Sequence, residues 1–306
     1  MLSTTIRWIA ILAILLTSSP GWAGFNLLDD GVGTKAVAAD GNLTYALKDN
    51  GNIWMRADGR WQMVDDGVGT RSIDACKGHL YAVKDDGSVW ARNCGAWKRI
   101  GKPGTNQLVA DGDILYTLES NGEVLLYRDG QWTRIDNGAG TRMITADKTS
   151  SDIRLFVLKN NGNIFQYVGS NVYGGQWRIV DDGAGTKQIT AGGNCLFALK
   201  DNGNVWRLNG QWARIDDGVG TKQIEADSGI LYVLKDSGNI WMQRDERWCQ
   251  IDGGTGTRSI KASFGSLLVL KDNGNIYQGY ADSFNASGPA APASARVANF
   301  DRLYAR

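Results

Sequence analysis

Short apolar runs, each closed by Gly, Asn or Asp, follow one another along almost the whole chain and spell one phrase seven times. The phrase reads Asp-Asp-Gly-x-Gly-Thr-Lys/Arg, then x-Ile-x-Ala-Asp, then Leu-Tyr-x-Leu-Lys-Asp-Asn-Gly-Asn-Ile-Trp, then Gly-x-Trp-x-x-Ile. Its Gly-Thr anchor falls at Thr34, Thr70, Thr105, Thr141, Thr186, Thr221 and Thr257, with spacings of 36, 35, 36, 45, 35 and 36. A fixed period of this size marks a repeat architecture. Each copy holds four strand candidates. In the first copy they are Lys35–Ala39, Leu43–Lys48, Asn52–Arg56 and Trp61–Val64, rich in the aliphatic and aromatic residues that strands favour. Asp49-Asn50-Gly51 separates the second from the third, a hairpin signal because Asn and Gly tolerate positive φ. It recurs as Asp201-Asn202-Gly203 and Asp272-Asn273-Gly274. No helical 3.6-residue period competes within the repeats.

Ile53 and Trp54 are neighbours in one strand, so they point to opposite faces. Each four-stranded unit is therefore apolar on both sides and needs a neighbour on each. The last copy, Lys271-Asp-Asn-Gly-Asn-Ile-Tyr277, lacks the Trp-x-x-Ile segment, while Phe25-Asn-Leu-Leu28-Asp29 supplies that spacing ahead of the first copy. These observations predict an all-β fold: a seven-bladed β-propeller of four-stranded blades, closed by an N-terminal strand that completes the last blade. The expected organisation is a signal peptide at 1–23, the propeller at 24–286, and a flexible linker and C-terminal tail at 287–306. Trp61, Trp97, Trp132, Trp177, Trp212 and Trp248 hold the fourth-strand position. Trp54, Trp90, Trp206 and Trp241 hold the third, where other copies have Leu125, Phe165 and Tyr277. Such a stripe reads first as inter-blade core, with sugar stacking as the competing use.

Composition and local segments change the picture in four places. Gly at 40 and Pro at 4 suit many tight turns between hydrogen-bonded strands. A net charge of +1 with interspersed signs leaves no basic footprint for nucleic acid. Arg7, the apolar run Trp8–Leu16 and Gly21-Trp22-Ala23 form an export signal with cleavage expected near Ala23, giving a secreted or periplasmic protein. The apolar run is too short to span a bilayer, so the mature chain is expected to have no transmembrane segment. Of the four cysteines, Cys76 and Cys94 fall in one repeat at turns on one sheet edge and are the expected disulfide.

Candidate chemistry lies on the rim that carries the Asp-Asp-Gly-x-Gly-Thr loops. Asp29, Asp30, Lys35, Asp65, Asp66, Arg71, Asp136, Arg142, Asp181, Asp182, Lys187, Asp216, Asp217, Lys222 and Arg258 recur there. Such groups hydrogen-bond hydroxyls, and several equivalent weak sites would give avidity for a repetitive surface. The same residues also serve turns by bonding their own backbone. Repeat three departs from the phrase: Gly101-Lys-Pro-Gly104 has no Asp pair and Glu119 stands where the other copies have Lys, so a rim site should be absent or altered there. Repeat four is nine residues longer than the 36-residue period, with insertions near Lys148–Asp152 and Val168–Gly175; with Tyr167 and Tyr173 these are a candidate feature on the opposite face. The lone histidine, His79, sits in a turn, and no zinc spacing, nucleophile elbow or phosphate loop occurs. The chain is expected to be no enzyme and to need no cofactor or metal.

Ala226–Trp241 followed by Trp248-Cys-Gln-Ile-Asp252 resembles the tectonin repeat, and the likeness runs over about residues 25–280. Tectonin-like proteins are β-propellers, and several are lectins for bacterial lipopolysaccharide or other glycans. The resemblance therefore implies a non-catalytic glycan-binding propeller whose partner is carbohydrate or lipopolysaccharide. The second strand departs from the tectonin pattern, reading Leu-Tyr-x-Leu-Lys in place of a Trp-Gly-Val-Asn-like run. The alternative is a protein-interaction scaffold that uses the same rim for a protein partner.

Overall fold

The structure is a computed structural model that describes residues 24–67, 69–148, 153–168, 175–183, 185–216, 218 and 220–284. The expected signal peptide, the linker and tail, Asp217 and Tyr173 lie outside these residues. Blade 1 shows how the sequence builds the unit. Strands β2 (Thr34–Asp40), β3 (Leu43–Lys48), β4 (Ile53–Ala57) and β5 (Arg60–Asp65) form an antiparallel sheet in chain order. The first strand lies toward the axis and the fourth outermost. Seven such sheets follow one another, and the chain is a seven-bladed β-propeller with almost no helix among the described residues. Blades 2 to 6 span 70–99, 105–136, 141–181, 186–216 and 221–252.

Blade 7 is closed as expected. Its sheet runs Thr257–Ser263, Ser266–Lys271 and Ile276–Tyr280, and its outer strand is β1 (Phe25–Asp29) from the other end of the chain. Phe25 pairs with Gly279 and Leu27 with Tyr277. The Phe25 ring packs on Phe284 with centroids 4.9 Å apart. Across the seam, Arg258 Nη1 donates to Thr34 O at 2.8 Å and Ser263 Oγ to Ala39 O at 3.0 Å.

The core is divided among the gaps between blades. Alternate residues of one strand serve opposite gaps. Val37 and Ala39 pack with Leu268, Leu270 and Ile276 of blade 7, whereas Ala38 packs with Ala75, Leu80 and Ala82 of blade 2. The turns are equally specific. Asn52 N–H donates to Asn50 Oδ1 at 3.0 Å, which fixes the hairpin. Gly51 has φ 91°, and a Cβ there would meet the Gly67 carbonyl at 2.9 Å, so only glycine fits.

The fourth strands carry a repeated bulge. Ile53 pairs with Asp65 and Trp54 with Met63, leaving Val64 unpaired. Its freed carbonyl accepts the next blade's indole, with Trp97 Nε1 at 2.9 Å. Trp61 reaches Leu28 O, Trp132 Ile100 O, Trp177 Ile135 O and Trp212 Val180 O at 2.6–3.0 Å. The fourth-strand tryptophans thus join neighbouring blades.

Closure yields the first prediction. Gly279 lies against Phe25 and Phe284 with no room for a Cβ. Gly279→Val and Phe25→Ala should each lower stability by about 3 kcal/mol. Thermal unfolding followed by circular dichroism checks this, and an unchanged melting temperature in both variants would contradict closure through β1.

Candidate functional site

The rim loops form a repeated three-residue clasp between blades. The first Asp of each Asp-Asp pair sits just past the bulge and faces the next blade. Asp29 Oδ1 accepts the Gly31 N–H at 3.0 Å, and Asp29 Oδ2 accepts Lys48 Nζ at 2.7 Å. Lys48 Nζ also donates to Thr34 Oγ1 at 2.8 Å. The same triad recurs as Asp65–Lys84–Thr70, Asp136–Lys159–Thr141, Asp181–Lys200–Thr186, Asp216–Lys235–Thr221 and Asp252–Lys271–Thr257. The ion pairs measure 2.7–3.1 Å and are largely shielded from water.

The cation after each Gly-Thr is engaged in the same way. Lys35 Nζ donates to Thr70 O at 2.7 Å and Lys222 Nζ to Thr257 O at 3.2 Å. Arg142 donates to the carbonyls of Thr186 and Lys187, and Arg258 to Thr34 O. Of the fifteen predicted rim residues, Asp29, Asp65, Asp136, Asp181, Asp216, Lys35, Arg142, Lys222 and Arg258 therefore hold blades together. Arg71 is half-buried, and its Nε is buried with no hydrogen-bond partner. Asp30, Asp66, Asp182 and Lys187 are exposed on the rim.

The expected Cys76–Cys94 disulfide is not formed; both thiols are free. Cys76 ends the inner strand Thr70–Cys76, and Cys94 lies in the turn after the third strand Val89–Asn93, with the strand His79–Lys84 between them. Cys76 is buried and accepts the Gly112 N–H at 3.1 Å, whereas Cys94 is exposed. Tyr167 is also not a surface feature. It is buried against Trp177, with ring centroids 5.2 Å apart, and its hydroxyl accepts the Gly175 N–H at 3.1 Å.

A second constellation escaped the sequence reading. Each inner strand carries one non-repeating position between the repeated aliphatic residue and the repeated Ala: Ala38, Asp74, Val109, Thr145, Thr190, Glu225 and Lys261. All but Ala38 line an axial cavity of about 170 Å³. Asp74 Oδ2 caps the Ala110 N–H at 2.9 Å, as Thr190 Oγ1 caps Ala226 N–H at 3.1 Å. Lys148, from the lengthened turn of blade 4, reaches back to both Asp74 oxygens at 3.0 and 2.9 Å. Burial alone would push the Asp74 carboxyl up, but the charges of Lys148 and Lys261 and the two hydrogen bonds hold it below the usual range. Lys261 faces Glu225 at 3.8 Å, and that carboxylate raises its pKa despite burial. Asp111 lies beside them; burial and the Asp147 charge push its carboxyl up to about 6 against the pull of Lys148. The signal that could have found this group was variation at one register position within otherwise repeating strands.

The cavity can hold a few waters or a small polar molecule. Among the described residues, no three His, Cys, Asp and Glu side chains are grouped to hold a metal ion. No helix of the described residues is long and apolar enough to cross a membrane.

No protein-family model matches the sequence, and no curated protein is similar to it in sequence. Solved structures share the fold. PorZ, a bacterial surface component of the type-IX secretion system of Porphyromonas gingivalis, superposes with a TM-score of 0.67 at 12% identity, over 88% of this chain and 39% of that one. YCF48 bound to D1 peptide gives 0.62 at 13% identity, over 86% and 99%. BamB from Moraxella catarrhalis gives 0.56 at 11% identity, over 84% and 89%. At these identities the likeness shows the propeller fold alone.

Two predictions follow from the charges. Lys235→Met should strand the shielded Asp216 carboxylate and cost about 2 kcal/mol, while adding Asp216→Asn should cost little more because the two residues act as a pair. Thermal melts of the single and double variants test this, and fully additive losses would contradict the clasp. The folded-state pKa of Asp111 lies above its unfolded value, so its charge opposes folding above about pH 6 and has no effect below pH 4. Asp111→Asn should therefore raise stability at pH 8 by on the order of 1–2 kcal/mol, a gain that vanishes at pH 4. A gain independent of pH would refute the assignment.

Proposed function

We propose that this chain is an exported, non-catalytic propeller that acts as a protein-interaction scaffold. The observation that carries this is the use of the repeated polar groups. A lectin with equivalent sites around its rim needs repeated donors and acceptors turned to solvent. Here the leading Asp, the Lys of the second strand and several cations after Gly-Thr are bonded to the neighbouring blade. Their recurrence is explained by ring assembly. The fourth-strand tryptophans, the other sugar-stacking candidates, are engaged between blades as well.

Of the repeated rim groups the second Asp stays exposed at Asp30, Asp66 and Asp182, while the outward faces of the fourth strands are irregular and differ from blade to blade. Leu27 on blade 7 and Met63 on blade 1 are exposed at the equivalent outward position, which is Arg99, Arg134 and Arg214 on other blades. Irregular surfaces suit individual protein partners better than a periodic polymer. The likeness to PorZ, to YCF48 bound to D1 peptide and to BamB supports a protein partner and a place outside the cytoplasm, in line with the signal at 1–23. Catalysis has no support in a lone His79 that lies near Tyr81, with ring centroids 6.1 Å apart.

The test pairs two assays on the mature chain from residue 24. Immobilised protein should capture a defined partner from a cell-envelope extract, identified by mass spectrometry and reproduced with the purified partner. A glycan array including lipopolysaccharide should stay silent. Saturable glycan binding that is lost in an Asp182→Ala, Lys187→Ala variant would overturn the scaffold reading in favour of the lectin.

A further inference from the structure

The junction between blades 2 and 3 lacks two parts that other junctions possess. In the junction of blades 7 and 1, Trp54 packs with Leu28 and Trp61. Phe165 packs likewise with Ile135 and Trp177, Trp241 with Ile215 and Trp248, and Tyr277 with Ile251 and Phe25. Between blades 2 and 3, Ile100 and Trp132 are in place, but the third-strand residue is Leu125. Leucine is too small to fill the space of an indole. Leu125, Ile100 and Trp132 instead line a cavity of about 460 Å³.

The clasp is missing at the same junction. Gly101 stands where the other junctions have Asp, and Glu119 stands in the register of Lys48, opposite Thr105. Thr105 Oγ1 donates to Glu119 Oε1 at 2.9 Å. No cation of the described residues comes within 4.0 Å of this half-buried carboxylate. Six junctions hold an ammonium beside their threonine; this one holds a carboxylate that lacks one. Lys102 and Arg99 line the outer side of the cavity, but both are exposed and well solvated. A shielded carboxylate demands a counter-charge far more than exposed cations do.

We propose that this junction is a binding pocket for a lysine or arginine side chain next to an aromatic residue on a segment of a partner protein. The ring takes the place that Leu125 leaves unfilled, against Trp132 and Ile100. The ammonium or guanidinium takes the place of the missing Lys Nζ, against Glu119. The proposal rests on the protein-partner reading above and names one site for it.

The experiment titrates the mature chain with two peptides, acetyl-Gly-Phe-Lys-Gly-amide and acetyl-Gly-Phe-Glu-Gly-amide. The readout is the Trp132 indole N–H signal in nitrogen-15 NMR, assigned with Trp132→Phe. The lysine peptide should shift that signal saturably, and the glutamate peptide should bind at least about tenfold more weakly. Leu125→Trp, which restores the indole of blades 1, 2, 5 and 6, should abolish the shift with an equal or higher melting temperature. Glu119→Gln keeps the Thr105 hydrogen bond and decides the matter should the tryptophan variant fail to fold; it should weaken lysine-peptide binding about tenfold. Equal binding of both peptides, preference for the glutamate peptide, or unchanged binding by the folded variants overturns the proposal. A partner captured equally by wild type and by folded Leu125→Trp would remove the pocket and leave the scaffold reading standing.

Discussion

The blades have no cores of their own. Every sheet is apolar on both faces, so each gap between blades is the core of two units at once. Water can be kept from all seven gaps only if the ring closes. The strand Phe25–Asp29 is therefore as structural as any interior strand, although it lies some 250 residues from its partner. Hydrophobic burial favours stacking but does not fix the angle between blades. That task falls to directional bonds: indole to bulged carbonyl, lysine to aspartate and threonine, and the inner-strand glutamines. Gln107, Gln188 and Gln223 each exchange two hydrogen bonds with the backbone of the following blade at Ile144, Ile224 and Ile260.

This explains why so polar a phrase can recur without marking a binding site. An Asp that accepts a backbone N–H in its own loop and an ammonium from the next blade is doing structural chemistry with groups that look functional in sequence. The bulge makes it possible. One unpaired residue turns the carboxylate toward the neighbour and frees a carbonyl for the tryptophan. Aspartate, lysine, threonine and tryptophan recur together because they are parts of one joint.

The architecture was legible because its signals are local and repeated. Asn-Gly turns, two-faced strands and a displaced final strand each follow from short-range rules, and the first-blade strand limits agree with the structure to within about a residue or two. The joints were not legible, because most of them connect residues 19 to 45 positions apart in different sheets, and spacing alone does not say which side chain crosses a gap. The expected Cys76–Cys94 bond failed for a related reason. Both turns lie on one edge, but an intervening strand separates them. The axial charges were missed because Asp74, Glu225 and Lys261 occupy an inner-strand position that does not repeat, and attention to the repeat discards such positions.

Departure from the repeat is therefore the informative quantity in this molecule. A position that follows the phrase is accounted for by the joint it makes, so its identity says little about a ligand. A departure weakens a joint and has to be compatible with a closed ring. Lys148 departs by length and is compensated by its ion pair with Asp74. At Leu125, Gly101 and Glu119 the departures fall together in one junction and leave both a space and a charge without a filler. Two independent losses in the same gap, one of volume and one of counter-charge, describe the shape and the sign of what would complete it.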